Sequence, residues 1–228
     1  MTIAERLTQA RVRIARAAER AGRDPSTVRL VAVSKLHPAD SIREAYDAGQ
    51  RDFGENYAQE LVRKAESLAD LPDLRWHMIG HLQTNKARHV APAAAMVHTV
   101  DSPKLAAELG RRALAAGRTI DVLVEVNVAR DPAKSGCMPE QLPEVLAAIR
   151  EQSALRARGL MTIPPFTEDP EGARPYFATL RELRDAHGGA ESLPELSMGM
   201  SHDVEVAVEE GATIVRVGTA IFGERPKP

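Results

Sequence analysis

A regular rhythm constrains this chain more than any other feature: short apolar, often β-branched runs alternate with helix-length amphipathic stretches from residue 28 to residue 222. Strand-like segments fall at 28–33, 52–55, 75–80, 96–101, 121–127, 158–163, 196–200 and 213–222. Near-continuous apolar runs suit strands covered on both faces of a parallel sheet, and eight successive βα units predict a TIM-type (β/α)8 barrel. A doubly wound open sheet would place a glycine-rich phosphate fingerprint after its first strand. Val31-Ala-Val-Ser-Lys35 has no glycine, which argues against that fold. Helix starts are expected at Pro38, at Asn56, at Ser102 with Pro103 as first helical residue, and at Ser201 with Asp203 and Glu205 in the first turn. Ahead of the first strand, Ile3, Leu7, Ala10, Ile14, Ala17 and Ala21 recur at helical spacing and stop at Gly22, so an extra N-terminal helix is predicted. The chain ends at Pro228, soon after the eighth strand. An eighth outer helix and an appended C-terminal β domain are therefore not expected, and the N-terminal helix is left to cover the gap. Residues 163–170, rich in proline, read as a loop after the sixth strand.

With 228 residues and 43% hydrophobic content, the chain suits one domain spanning 1–228. A net charge of -2, with basic and acidic residues interspersed, gives no footprint for nucleic acid or membrane and leaves small molecules as the expected partners. The single cysteine, Cys137, rules out an intrachain disulfide and a cysteine-rich metal site and fits a reducing compartment. Glu5, Arg6, Gln9 and Arg11 interrupt the first residues, unlike a signal peptide, and no run is long enough to span a bilayer. A cytoplasmic location is expected.

In such a barrel the chemistry sits where the strands end. The polar residues closing the apolar runs are Lys35, Glu55 with Asn56, His77 with His81, Asp101, Asn127, Thr162, Ser201, and Arg216 with Gly218 and Thr219. A lysine at the mouth, beside other cations or in an apolar pocket, has a lowered pKa and can attack an aldehyde as the neutral amine. Loops after strands seven and eight commonly hold phosphate in barrels, and here they carry Met198-Gly-Met-Ser201 and Val217-Gly-Thr219. Arg216 lies within the apolar run Ile214-Val-Arg-Val217 and shares a face with Ile214 and Gly218. Buried there, it pairs either with a barrel carboxylate such as Glu55 or with the pyridine nitrogen of a cofactor. His77 and His81 are four apart, a spacing that gathers ligands only on a helix, so no metal site is assigned. His77 is expected to be a buried, hydrogen-bonded side chain or a cofactor neighbour. Cys137 lacks a partner base and reads as inert, while Met198 and Met200 pack around the mouth, Met200 being grouped with the cofactor-binding set.

One longer motif is more specific than any of these: Trp76-His-Met-Ile-Gly80-His-Leu-Gln-Thr-Asn-Lys86. With Val31-Ala-Val-Ser-Lys35, Phe53-Gly-Glu-Asn-Tyr57, Lys134-Ser-Gly136, Gly159-Leu-Met-Thr-Ile163, Leu196-Ser-Met-Gly-Met-Ser201 and Arg216-Val-Gly-Thr-Ala-Ile-Phe-Gly223, it resembles the pyridoxal phosphate homeostasis proteins over nearly the whole chain. These are single-domain relatives of the alanine racemase N-terminal barrel. The resemblance implies pyridoxal 5'-phosphate as cofactor, Lys35 as its Schiff-base lysine, Arg216 at the ring nitrogen, and Ser201, Gly218 and Thr219 at the phosphate. It also places Asn56 and His77 in the cofactor pocket, and Lys86 and Lys134 at family positions read as solvated loop lysines. His37 stands where some relatives carry a second lysine. The implied function is intracellular vitamin B6 homeostasis by a monomeric store or carrier without robust turnover, engaging apoenzymes at most transiently. Two other readings stay open: an amino-acid racemase, which needs a second acid–base group on the opposite ring face, and an aldolase acting on a sugar phosphate through Lys35.

Overall fold

The computed structural model describes residues 1–224; residues 225–228, the end of the expected domain, lie outside the described residues. Eight parallel strands close in sequence order into a barrel. They are β1 (Arg29–Val33), β2 (Asp52–Glu55), β3 (Arg75–Met78), β4 (Ala94–Val100), β5 (Ile120–Glu125), β6 (Leu155–Met161), β7 (Glu195–Ser197) and β8 (Ile214–Val217). Closure runs through β1 and β8, with Val31 opposite Arg216 and Ala32 opposite Val217. The helices are α1 (Ile3–Arg20), α2 (Ala39–Asp47), α3 (Ala58–Ser67), α4 (Ala87–Val90), α5 (Pro103–Ala115), α6 (Leu142–Arg150), α7 (Arg174–Ala186), α8 (Gly189–Ser192), α9 (Val204–Glu209) and α10 (Thr219–Phe222). None is long and apolar enough to cross a membrane.

The main core lies between the strands and the helical ring, where Phe53, Phe177, Leu61, Leu105, Leu109 and Leu142 are fully buried. Inside the barrel the apolar filling is smaller: Val31, Met96, Leu123, Met161 and Ile214 form a separate cluster. Much of the remaining interior is polar, with His77, His98, Ser197 and Arg216 all buried. Such groups are tolerated only when hydrogen-bonded to one another.

Helix α1 buries Leu7, Ala10, Ile14, Ala17 and Ala18, so the predicted stripe holds in its centre while Ala21 is exposed. It packs on α2, α9 and α10, outside the β8–β1 seam where cover was expected. Thr2 begins it with a reciprocal capping box to Glu5. Ser102 caps α5 through Leu105 N–H, with Pro103 in the first turn, as the sequence predicts.

Several expected boundaries are corrected: the third strand ends at Met78 rather than 80, the sixth runs from Leu155 to Met161 rather than over 158–163, the seventh ends at Ser197 rather than 200, and Pro38 precedes α2. The eighth strand ends at Val217 rather than 222, because the chain turns at Gly218, whose carbonyl accepts from Ile221 N–H and Phe222 N–H. The short α10 thus follows β8 where no helix was expected. Tyr57, not Asn56, precedes α3, and Asp203, not Ser201, precedes α9.

Candidate functional site

Because every strand is parallel, the loops after their C-terminal ends gather at one mouth. Lys35, half-buried, follows β1 between two anchored neighbours. Ser34 donates its hydroxyl to Glu55 Oε1 at 2.6 Å. Lys64, buried on α3, donates to the Ser34 carbonyl and to Glu55 Oε1, both at 2.7 Å, and lies 2.8 Å from Glu60. Leu36 adopts a left-handed φ of 66° and donates its N–H to Glu60 Oε1 at 2.8 Å. That conformation is strained for a leucine and is held by the Glu60–Lys64 pair. His37 stacks on Phe222 with ring centroids 5.1 Å apart, tying the Lys35 loop to α10. Burial raises the Glu55 pKa against the pull of Lys64, and its Oε2 has no hydrogen-bond partner. Glu55 is therefore the partner of Lys64, which corrects the reading that paired it with Arg216.

Arg216 is 3% exposed and donates to Ser197 Oγ at 2.6 Å and to the Thr162 carbonyl at 2.9 Å. Among the described residues no carboxylate lies within ion-pair distance of it. Burial lowers its pKa to about 10, still far above neutrality, so the guanidinium stays charged. Two residues on, Gly218 packs on β1: a Cβ there would lie 3.2 Å from both Cβ and O of Val33. The β8 turn is thereby pressed against the end of β1, two residues before Lys35.

The loop after β7 meets this turn, since Ser201 Oγ accepts from Ala220 N–H at 3.4 Å. Gly199, at φ 89°, has no room for a side chain against Ala207. Met200, 37% exposed, donates its N–H to Asp203 Oδ1 at 2.6 Å, and Asp203 takes the helix-start position expected of Ser201. Thr219 is exposed at the start of α10. From outside, Arg13 of α1 grips Glu205 at 2.6 and 2.8 Å and the Ser201 carbonyl at 3.1 Å.

The sector of β7, β8 and β1 thus brings together Ser201, Arg216, Gly218 and Thr219, beside the loop of Lys35. Asn56 is half-buried after β2, and its backbone fills the space a side chain at Gly80 would need. His77 faces inward, with Nδ1 2.9 Å from His98 and Nε2 2.9 Å from Asp52, so both ring nitrogens are engaged within the barrel. His81 is exposed, 3.5 Å from Asp101. On the far side of the mouth, Lys134 donates to the Ile163 carbonyl at 3.1 Å, and partial burial lowers its pKa. Lys86 lines a small groove with Asn56 and His81. Burial pushes the Cys137 thiol up to about 12, out of the nucleophilic range.

Sequence reasoning missed Lys64 with Glu60, Arg13, and the interior group of His98, Ser197 and Asp52. His98 carried a readable signal, a polar residue inside the apolar run of β4, the same signal that singled out Arg216. The arrangement presents an amine, a buried cationic donor and a glycine-bearing turn with hydroxyl donors. It suits an anionic ligand with a carbonyl group.

Comparison with known proteins agrees. Residues 6–226 match the family model described as alanine racemase, N-terminal domain. The chain is 48% identical over 227 residues to the pyridoxal phosphate homeostasis protein of Aquifex aeolicus, covering 99% of each. PipY of Synechococcus elongatus, solved with pyridoxal phosphate bound, is 42% identical with a TM-score of 0.82, over 97% of this chain and 100% of that one. Alanine racemase of Corynebacterium glutamicum, at 17% identity and a TM-score of 0.69, shares the fold, the match covering 61% of its length. A barrel closed in sequence order, a lysine loop anchored beside a buried arginine strand, and full-length identity at this level have one reading: the chain belongs to the pyridoxal phosphate homeostasis protein family.

Proposed function

We propose that this protein binds pyridoxal 5'-phosphate covalently through Lys35 and acts in vitamin B6 homeostasis as an intracellular store or carrier rather than a turnover enzyme. The observation that carries the reading is the contact of Gly218 with Val33, which sets the β8 turn against the strand leading to Lys35. A phosphate held at that turn and an aldehyde carried by Lys35 then belong to one ligand. The relatives' names and the loaded PipY structure support it.

When bound, the cofactor supplies an aldehyde for the lysine amine and a ring able to draw electrons. The chain's own residues do the rest. Ser201, Gly218 and Thr219 would take the phosphate, using close backbone approach and hydroxyl donors. Arg216 would donate to the ring nitrogen. A guanidinium only donates, so it cannot accept a hydrogen bond from a protonated ring nitrogen and its charge opposes that protonation; the ring would then be a weak electron sink. Asn56 and Met200 line the pocket; His77 supports it from inside the barrel. The Glu55–Lys64–Glu60 group fixes the loop so that Lys35 does not wander. The working unit is one domain of 1–228, a cytoplasmic monomer that meets apoenzymes transiently.

Racemase activity is the contrasting reading. Loaded protein incubated with L-alanine in D2O is expected to show no Cα deuterium above the free cofactor's background. Exchange at enzyme-like rates, lost in Lys35→Ala, would overturn the carrier assignment. Failure to bind pyridoxal phosphate at all, with uptake of a sugar phosphate instead, would favour an aldolase.

A further inference from the structure

The barrel interior holds a continuous hydrogen-bonded line whose protons can be placed by elimination. Arg216 can only donate, so Ser197 Oγ accepts from it at 2.6 Å and keeps its own hydrogen for another acceptor. His98 Nδ1 lies 2.9 Å from that oxygen. If Nδ1 accepts, Nε2 of His98 carries the ring proton and donates across 2.9 Å to His77 Nδ1. His77 in turn carries its proton on Nε2, directed at Asp52 Oδ1 2.9 Å away. Asp52 is further held by Arg75 at 2.6 and 2.8 Å. Both histidines are then neutral, each group donates in one direction, and no lone pair faces another.

We propose that Asp52, His77, His98 and Ser197 form a tautomer-coupled relay that positions Arg216, making His98 and Ser197 positioning residues for the ligand atom Arg216 faces. The line starts at the opposite end of the barrel, where Asp52 and Arg75 border a groove of about 460 Å³ also lined by Gln50, Arg51 and Arg11. The coupling is strict: whenever His77 carries a proton on Nδ1, it must donate to His98 Nε2, so His98 holds its own ring proton on Nδ1. Ser197 Oγ then receives two donors, His98 and Arg216, and its hydroxyl hydrogen loses its acceptor. The proton position beside Asp52 thus decides the state of the oxygen that orients Arg216.

The charged groups around the line are Arg29 on β1, Asp52 on β2, Arg75 on β3 and Arg216 on β8, with Glu125 on β5 and Asp203 facing Arg216. Complete burial and the neighbouring cations push the His98 pKa well below the ordinary histidine value, which keeps it neutral and leaves tautomer exchange as its response. Asp52 stays ionised: burial opposes its charge, but hydrogen bonds from His77 and Arg75 hold its pKa to about 2.

The role toward a ligand rests on the pyridoxal phosphate reading; the relay itself does not, and the test separates them. Long-range 1H–15N spectra of histidine-labelled, cofactor-free wild type should show both His98 and His77 protonated on Nε2 at pH 8. In Asp52→Asn, whose side-chain amide can donate to His77 Nε2, any change of the His77 tautomer to Nδ1–H should be matched by a change of His98 to Nδ1–H. An Nδ1–H tautomer of His98 at pH 8, or a His98 signal indifferent to His77, would overturn the relay. Ser197→Ala should weaken pyridoxal phosphate binding roughly tenfold, the scale of one hydrogen bond to a charged group, with Ser197→Thr recovering most of it. Wild-type affinity in Ser197→Ala would refute the positioning role. If Ser197→Ala does not fold, the affinity of Ser197→Cys, whose thiol is a poor acceptor, decides the same point. No binding by wild type would sink the functional reading while leaving the tautomer result to decide the relay.

Discussion

Gly218 shows how much a single missing side chain can decide. Its Cα sits so near Val33 that an added methyl would press on both the Val33 side chain and carbonyl at 3.2 Å. Gly218→Val is therefore expected to weaken pyridoxal phosphate binding by roughly tenfold or more through loss of the close backbone approach. Full affinity in a titration of that variant would undercut the phosphate assignment. Lys64 is the second decisive residue, 3% exposed and shared by Glu55, Glu60 and the Ser34 carbonyl. Lys64→Met strands two buried carboxylates and should cost about 3–5 kcal/mol in urea unfolding; a loss under about 1 kcal/mol would mean the cluster relaxes freely. Lys35, Arg216 and Gly218 were legible because a polar or glycine residue ending an apolar run is conspicuous. Lys64 was not, since Glu60 and Lys64 look like an ordinary surface pair four residues apart. Only the helix rotation, which buries Ala58 and Leu61 with them, reveals that the pair faces inward.

At the scale of elements, the order of strands was readable and their ends were not. Apolar runs between amphipathic stretches identify eight βα units whatever the details. The segment 213–222 stays apolar past Val217, so periodicity alone carries it on as a strand; the turn at Gly218 and two N–H groups returning to its carbonyl are tertiary facts. The start of α9 also lies later than read, after Asp203, whose Oδ1 accepts from Met200 N–H. Helix α1 was legible as a helix, but its link to the site was not. Arg13 ties α1 to the loop carrying Ser201, whereas Arg20 on the same helix pairs with Glu209. Both pairs are partly solvated, so either arginine changed to methionine should cost no more than about 1 kcal/mol in stability. Arg13→Met should nevertheless weaken pyridoxal phosphate binding more than Arg20→Met, measured side by side. Equal affinities would show that α1 covers the seam without steadying the phosphate loop.

For the whole molecule, the polar interior sets how the fold answers acid. An unfolded histidine takes a proton near pH 6.5, but His98 in the fold does not, so stability should begin to fall below about pH 6.5. Asp52 has its folded pKa depressed to about 2, so its contribution is full above the ordinary aspartate value and is lost as pH falls from there through about 2. Of the roughly 2 kcal/mol in that second decline, about 1 kcal/mol falls above pH 3, and it should be missing in Asp52→Asn, read from urea midpoints between pH 8 and pH 3. A flat profile over this range would contradict the buried, ionised line through the barrel. The barrel's closure brings β8 beside β1, and from that adjacency follows the central claim that one ligand joins the β8 turn to Lys35. The direct test is intact-mass and peptide analysis of wild type and Lys35→Ala after loading with pyridoxal phosphate and borohydride reduction. A single phosphopyridoxyl increment on the Lys35 peptide, absent from the variant, is the predicted result. An increment on Lys64, Lys86 or Lys134 in place of Lys35, or none at all, would contradict it.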